Sequence, residues 1–291
     1  MRFITLILLF SAVPARAQET DPAAQFLAGR AHANGEGVPL DFAKAAELYR
    51  KAAEQGEARA QNNLAWLYLE GKGVPKDPAE GLKWLRKAAE QGTAKSQDGL
   101  GYILAKGDLV PKDPKEAALW LEKAAAQGIV RAQAQIGLLH FFGDGVAQDY
   151  ALAAKWLAAA AKEGHAEAQN AMGLLHKNGW GTIRSDGLAL VWWLKAAEQQ
   201  HPKAQANAGQ AIALGHGTDR DPVTAYLWLK LATDQGEATG EVFFDEFKHG
   251  LTAGQIEQGE RKLAEYRAAH GLKAPPPKPE LKLPAPPAAK P

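Results

Sequence analysis

No cysteine occurs among the 291 residues. Disulfides, thiolate metal sites, a cysteine nucleophile and a lipid anchor on a leading cysteine are therefore excluded, and stability must come from packing. Charge of one sign is lacking too. Thirty-four Lys and Arg face 33 Asp and Glu, a formal net charge of +1. Phosphate backbones are held by a basic excess, so nucleic acid is not expected as a partner. Long apolar runs are absent. FITLILLF, residues 3–10, is far shorter than the roughly 20 residues that cross a bilayer. The chain also has no HExxH, no CxxC pair, no GxSxG and no GxxxxGK[ST], so the motifs give no catalytic residue and no cofactor.

The two ends differ from the middle. Arg2, the short apolar run and Ala15-Arg16-Ala17 have the charged start, greasy centre and small-residue exit of a secretory signal peptide, residues 1–17. Cleavage is expected after Ala17, leaving no transmembrane segment and a periplasmic or secreted protein. Loss of Arg2 and Arg16 leaves 32 basic residues against 33 acidic, a net charge of −1. At the far end, residues 272–291 form a proline-rich tail. From Ala274 it reads APPPKPELKLPAPPAAKP, eight prolines in eighteen residues, which predicts an extended polyproline-like spacer.

What fills the middle is repetition. GKGVPKDP at 71–78 returns as GDLVPKDP at 107–114, 36 residues on. Six gapless 36-residue blocks cover 21–56, 57–92, 93–128, 129–164, 165–200 and 201–236. The fifth residue of each is glutamine: Gln25, Gln61, Gln97, Gln133, Gln169 and Gln205. Each block reads as two helices. The first ends at a glycine (Gly35, Gly71, Gly107, Gly143, Gly179, Gly215), the residue that best adopts a left-handed cap. The second begins at Asp41, Asp77, Asp113, Asp149 or Asp221, with Ser185 as the substitute in the fifth block. Pro78, Pro114 and Pro222 follow at the first helical position, and Glu80 and Glu116 stand at capping-box spacing. The octapeptide is thus punctuation between helices.

The second helix carries Trp84, Trp120, Trp156, Trp192 and Trp228 at one position, and Ala52, Ala88, Ala124, Ala160, Ala196 and Ala232 four residues beyond that column. Large against small is what interlocking helices require, so core packing is expected of these rings in place of an aromatic ligand strip. His32, His140 and His176 share a column of the first helix. At about 10 Å between adjacent helices they are too far apart to share a metal, so no metal is expected. Residues 237–271 predict a helical cap, with Thr252 and Gln255 as a capping box, an Ile256, Leu263 and Tyr266 stripe, and Gly271 as its end.

The block A-x-A-Q-x-x-L-G-x-x-Y…G-x-G-V-P-x-D…A-x-x-W-x-x-K-A-A-x-Q-G resembles the Sel-one-like repeat (SLR) family, cousins of the tetratricopeptide repeats; the likeness covers 21–236. The resemblance implies an all-α, α/α superhelical solenoid of six helix-turn-helix repeats, with the first helices lining a concave groove. It implies a non-enzymatic scaffold or adaptor whose partner is a protein or peptide. Two other readings come with it. One is a scaffold for envelope polysaccharide or peptidoglycan. The other is β-lactam hydrolysis, associated with cysteine-rich secreted relatives whose paired cysteines this chain lacks.

If the first helices line a groove, the candidate ligand-binding residues are Arg59, Asn62, Asn63 and Trp66 in repeat 2, Lys95, Asp98 and Tyr102 in repeat 3, and Arg131, Gln135 and Leu138 in repeat 4. The amides match a peptide backbone, the rings an apolar anchor or a sugar, and the cations of one column a carboxylate. Repeat 5 departs most from the pattern, reading NGWGTIRSDG with Trp180 and Trp192-Trp193 close by. Its loop, and Phe141-Phe142 in repeat 4, are either contact sites or tolerated drift.

Overall fold

The computed structural model describes residues 20–274; the expected signal peptide and residues 275–291 of the tail lie outside the described residues. Those described form fourteen helices and no strand. In chain order they are α1 (Pro22–Asn34), α2 (Phe42–Glu54), α3 (Ala58–Glu70), α4 (Pro78–Glu90), α5 (Ala94–Lys106), α6 (Pro114–Ala126), α7 (Val130–Phe142) and α8 (Tyr150–Lys162). Then follow α9 (Ala166–Asn178), α10 (Asp186–Glu198), α11 (Pro202–Leu214), α12 (Pro222–Asp234), α13 (Ala238–His249) and α14 (Ala253–His270). The architecture is all-α and of the solenoid class. Two compact units make it up. One contains the chain to Leu175 with 180–183, the other 176–179 with the chain from Arg184. In the first, α1 to α8 each pack on the next; in the second, α10 packs on α11, α11 on α12, and α12 on both α13 and α14.

The helix boundaries follow the sequence signals. Asp41, Asp77, Asp113, Asp149 and Asp221 accept backbone N–H bonds at the starts of α2, α4, α6, α8 and α12, and Ser185 does so for α10. The terminal glycines take left-handed φ values of 70–77°. The capping box forms at Thr252–Gln255 but not at Asp77 or Asp113. Glu80 pairs instead with Lys83, while Glu116 reaches α4 to take Arg86 and accepts the Trp120 indole N–H. An ion pair one turn away or on the next hairpin outcompetes the backbone.

The second glycine of G-x-G joins neighbouring repeats. A Cβ on Gly73 would lie 2.2 Å from the Phe42 carbonyl, and one on Gly145 2.3 Å from Pro114. Gly181 meets Tyr150 in the same way, and Gly217 meets Asp186. The loop of one repeat thus rests on the first turn of the preceding second helix. Gly37, in the first repeat, has no such neighbour and nothing near it.

Within a hairpin the helices cross at small residues. A Cβ on Gly29, Gly101, Gly137 or Gly209 would meet Tyr49, Leu121, Leu157 or Leu229 at 2.6–2.8 Å. Opposite these glycines stand Ala45, Ala117, Ala153 and Ala225, all wholly buried. Repeat 2 reverses the pair. Ala65 lies on the first helix and Gly81 on the second, where a Cβ would be 2.8 Å from Leu69. One glycine per crossing meets the steric demand from either side.

The glutamine column stitches repeat to repeat. Gln61 Nε2 donates to the Ala53 carbonyl at the end of the preceding second helix, 3.0 Å away. Gln97, Gln133, Gln169 and Gln205 do the same to Ala89, Ala125, Ala161 and Ala197. In repeats 2, 3 and 6 the Oε1 atom accepts from the glutamine near the end of the same repeat: Gln91 to Gln61, Gln127 to Gln97 and Gln235 to Gln205. Helix ends leave carbonyls without intrahelical donors, and one buried amide here ties two such ends together.

All six alanines of the predicted column are fully buried. Trp84 and Trp228 are buried and Trp120, Trp156 and Trp192 half-buried, as packing rings. Lys87, Lys123, Lys155 and Lys195 lie over Trp84, Trp120, Trp156 and Trp192 at 4.2–5.1 Å, closing the outer side. The second unit ends on α14. Leu263 is buried, Ile256 and Tyr266 half-buried, and Tyr226 packs where Gly259 offers no side chain. Arg267 and Lys230 both hold Asp234, Lys262 donates to Thr224, and the Tyr226 hydroxyl to Glu260.

Candidate functional site

The ten candidate residues all fall in the first unit, on α3, α5 and α7, the first helices of repeats 2–4. Three of them form one internal array. Asp98 is buried at 7% exposure and accepts from Arg131 Nη2 at 2.6 Å and Nε at 3.0 Å. The same guanidinium lies over the Tyr102 ring, 4.7 Å from its centroid. Arg131 thus couples α7 to α5, with its charge matched by a carboxylate.

Arg59 is occupied as well. Its Nε donates to Glu57 at 2.8 Å, and its guanidinium stands 4.5 Å over Phe26 of α1. The Arg59 hydrogen bond holds the Glu57 carboxyl below its ordinary range against the opposing effect of partial burial. Glu57 also caps α3 through the Arg59 N–H. The expected basic edge is therefore mostly neutralised: of its three cations only Lys95, exposed on the first turn of α5, makes no ion pair among the described residues.

The amides form a second small network. Ser96 Oγ donates to Asn62 Oδ1 at 3.0 Å, and Asn62 Nδ2 to Asn63 Oδ1 at 3.2 Å. Burial pushes the Tyr49 phenol above its ordinary value, opposed by a hydrogen bond with Asn63. Both asparagines stay half-exposed. Trp66 is half-buried against the core of the unit, its ring 3.2 Å from where a Cβ on Gly99 would stand. Leu138 is half-buried, as is Gln135, whose Oε1 is shielded and has no hydrogen-bond partner. The two rings invoked for sugar stacking are thus partly spent, Trp66 on α5 and Tyr102 under Arg131.

Sequence reasoning missed Glu57, Phe26 and Ser96, which organise this face. The Asp98–Arg131 pair was visible in principle, since 33 residues is one repeat less one helical turn. Among the described residues no three His, Cys, Asp or Glu side chains converge on one point. Nor is any described helix long and apolar enough to cross a membrane. The arrangement offers recognition chemistry: half-exposed amides, one free ammonium and ring edges on a packed frame.

The Sel1 repeat model matches residues 22–57, 58–93, 94–129, 130–165, 166–201 and 202–237. No curated protein matches the chain. Among solved structures it is similar to c5321, described as a protective antigen of uropathogenic Escherichia coli strains displaying an SLR fold. The likeness has 31% identity and a TM-score of 0.75 over 87% of this chain. It spans 54% of that protein, about half its length. A Sel1 repeat protein from Oxalobacter formigenes is 35% identical with a TM-score of 0.62, over 76% of this chain and 88% of that one. With six tandem matches over the hairpins described above, this chain belongs to the Sel1 repeat family.

Proposed function

We propose that the chain is an exported adaptor that binds a protein or peptide on the first-helix face of repeats 2–4. Sel1 repeats are a scaffold-type fold that typically mediates protein interactions and is generally not enzymatic. The observation that carries the reading is the difference between the two helix rows. The second-helix tryptophans are packed under lysines, while α3, α5 and α7 keep Asn62, Asn63, Lys95 and Gln135 half-buried or exposed. Such groups hydrogen-bond an extended backbone, and Lys95 supplies a cation for an acidic side chain.

Export rests on the charged, apolar and small-residue order of residues 1–17. Amino-terminal sequencing of protein recovered from a periplasmic fraction is expected to begin at Gln18. For binding, a photo-crosslinking amino acid in place of Lys95 is compared with one in place of Lys123, which covers Trp120 on the opposite helix row. A partner captured from position 95 and not from 123 supports the assignment. Equal capture from both, or capture from 123 alone, refutes it.

A further inference from the structure

In the second unit, two depressions meet at Gln210. One is a cavity of about 80 Å3 bounded by Lys177, Asp186, Trp193, Asn207 and Gln210. The other, about 460 Å3 and more open, is bounded by Gln210, Thr239, Val242, Phe243 and Glu246. The repeat register explains why they exist. Gln210 stands in the column filled by Trp66, Tyr102, Leu138 and Leu174, so the sixth repeat has a polar amide where those repeats place an aromatic or leucine side chain. Lys177 stands in a column that is otherwise apolar, Ala33, Leu69, Ala105, Phe141 and Ala213, and its ammonium lies 5.7 Å over the Trp193 ring.

We infer that this trough binds an extended peptide, taking an uncharged hydrogen-bonding side chain such as glutamine or asparagine in the Trp193 cavity and an aliphatic side chain against Val242 and Phe243. Size and charge select the occupant. A cavity of about 150 Å3 accommodates benzene, so one of about 80 Å3 excludes an aromatic or pyranose ring and admits a short side chain. Its walls carry a cation, Lys177, an anion, Asp186, and the imidazole of His216, so a net charge of either sign meets a like charge as well as an opposite one and gains little. A carboxamide donates to one wall and accepts from the other, beside the buried Trp193 ring. Val242 is 64% exposed and Phe243 half-buried beside it, an apolar shelf reached without leaving Gln210. Gln210, shared by both depressions, can hydrogen-bond the peptide backbone between the two side chains. This inference does not rest on the face of repeats 2–4.

The test uses the full chain and fluorescein-labelled, end-blocked octapeptide pools, degenerate except for one position fixed as Gln, Leu, Asp or Lys, read by fluorescence polarisation. The Gln pool is expected to bind at least fivefold more tightly than the Asp or Lys pools. Gln210→Trp, which restores the bulk of the column, is expected to weaken it at least tenfold with unchanged circular dichroism. Asp186→Asn is expected to move preference toward the Asp pool and Lys177→Leu toward the Lys pool, an exchange that misfolding does not produce. No pool binding, equal binding of all four pools, or indifference to Gln210→Trp overturns the inference. So does displacement of the peptides by N-acetylglucosamine oligomers, which would make the trough a sugar site.

Discussion

Repeat 2 has its glycine on the wrong helix, and that reversal makes a quantitative test of how these hairpins close. In Gly81→Ala the new methyl would stand 2.8 Å from Leu69 Cγ and 3.0 Å from the Ala65 carbonyl. Overpacking of this kind costs about 2 kcal/mol, while replacing a helical glycine returns about 1 kcal/mol, for a net loss of roughly 1 kcal/mol. Ala65→Gly alone loses about 1 kcal/mol of helix propensity and about 0.8 kcal/mol for the buried methyl. Additive behaviour would therefore place the double variant about 3 kcal/mol below wild type. The double variant, however, restores the glycine and alanine order of Gly101 and Ala117 in repeat 3 and balances the propensities; without the Ala65 methyl, α3 can shift so that Leu69 and the Ala65 carbonyl clear the new methyl. It should lie within about 1 kcal/mol of wild type, a coupling of roughly −2 kcal/mol. Repeat arrays need not unfold as one unit, so hydrogen exchange of the α3 and α4 amides is the assay, not a global melt. Additivity within ~0.5 kcal/mol would refute the claim that one glycine per crossing is the closing rule.

Three further outcomes follow from the contacts between repeats. Gly73→Ala should destabilise more than Gly37→Ala by about 2 kcal/mol, because both need a left-handed φ but only Gly73 abuts another backbone; equal urea midpoints would remove the docking role of that loop. Arg267→Ala should leave Asp234, whose side chain is only 11% exposed, to Lys230 alone, and cost about 3 kcal/mol, read as faster exchange in α12 and α14 with α3 unchanged. Gln97→Glu puts a carboxyl at a site that is 4% exposed and must donate to the Ala89 carbonyl. Its folded pKa should rise above the unfolded value of about 4.3. The protonated form donates as the amide did, so the variant should match wild type below about pH 4. It should lose stability as pH rises through the folded pKa, reaching about 2.7 kcal/mol for a two-unit shift. Gln97→Met provides the pH-independent control, and a pH-independent deficit in Gln97→Glu would show that the amide is not buried as a donor.

What the sequence made legible was whatever depends on near neighbours along the chain. Helix ends, aspartate caps, the Ser185 substitution and the small column opposite the tryptophans are local chemistry repeated six times, and repetition separates signal from accident. The capping boxes at Glu80 and Glu116 misled because spacing shows what a side chain can reach, not what else competes for it. Lys83 and Arg86 competed and won. The glutamine column was visible as a column and silent about its purpose, since its partners sit at two helix ends, one on the preceding hairpin and one 30 residues on in its own. The candidate face suffered most. Two of the three cations read as a basic edge, Arg59 and Arg131, are held by Glu57 and Asp98, and a pairing 33 residues away becomes an obvious contact only once the stacking is known.

The six repeats, compared with one another, separate framework from recognition without any outside reference. Three demands recur unchanged: a glutamine joining helix ends, one glycine and one alanine at each crossing, and an alanine buried beneath the second helix. The first-helix positions beside them are under no such constraint. One runs Ala23, Arg59, Lys95, Arg131, Glu167, Lys203; another runs Arg30, Trp66, Tyr102, Leu138, Leu174, Gln210. Since the glutamine stitching does not involve these columns, their charge, bulk and polarity can change from repeat to repeat while that frame is kept, even where Arg131 and Trp66 also bridge repeats. Two uses of that freedom are visible. Arg131 spends it internally, on Asp98 and Tyr102, while Gln210 puts an amide between two depressions. Recognition in such a chain is therefore written in the departures from its own period, and two of them, Lys177 and Gln210, bound the same cavity.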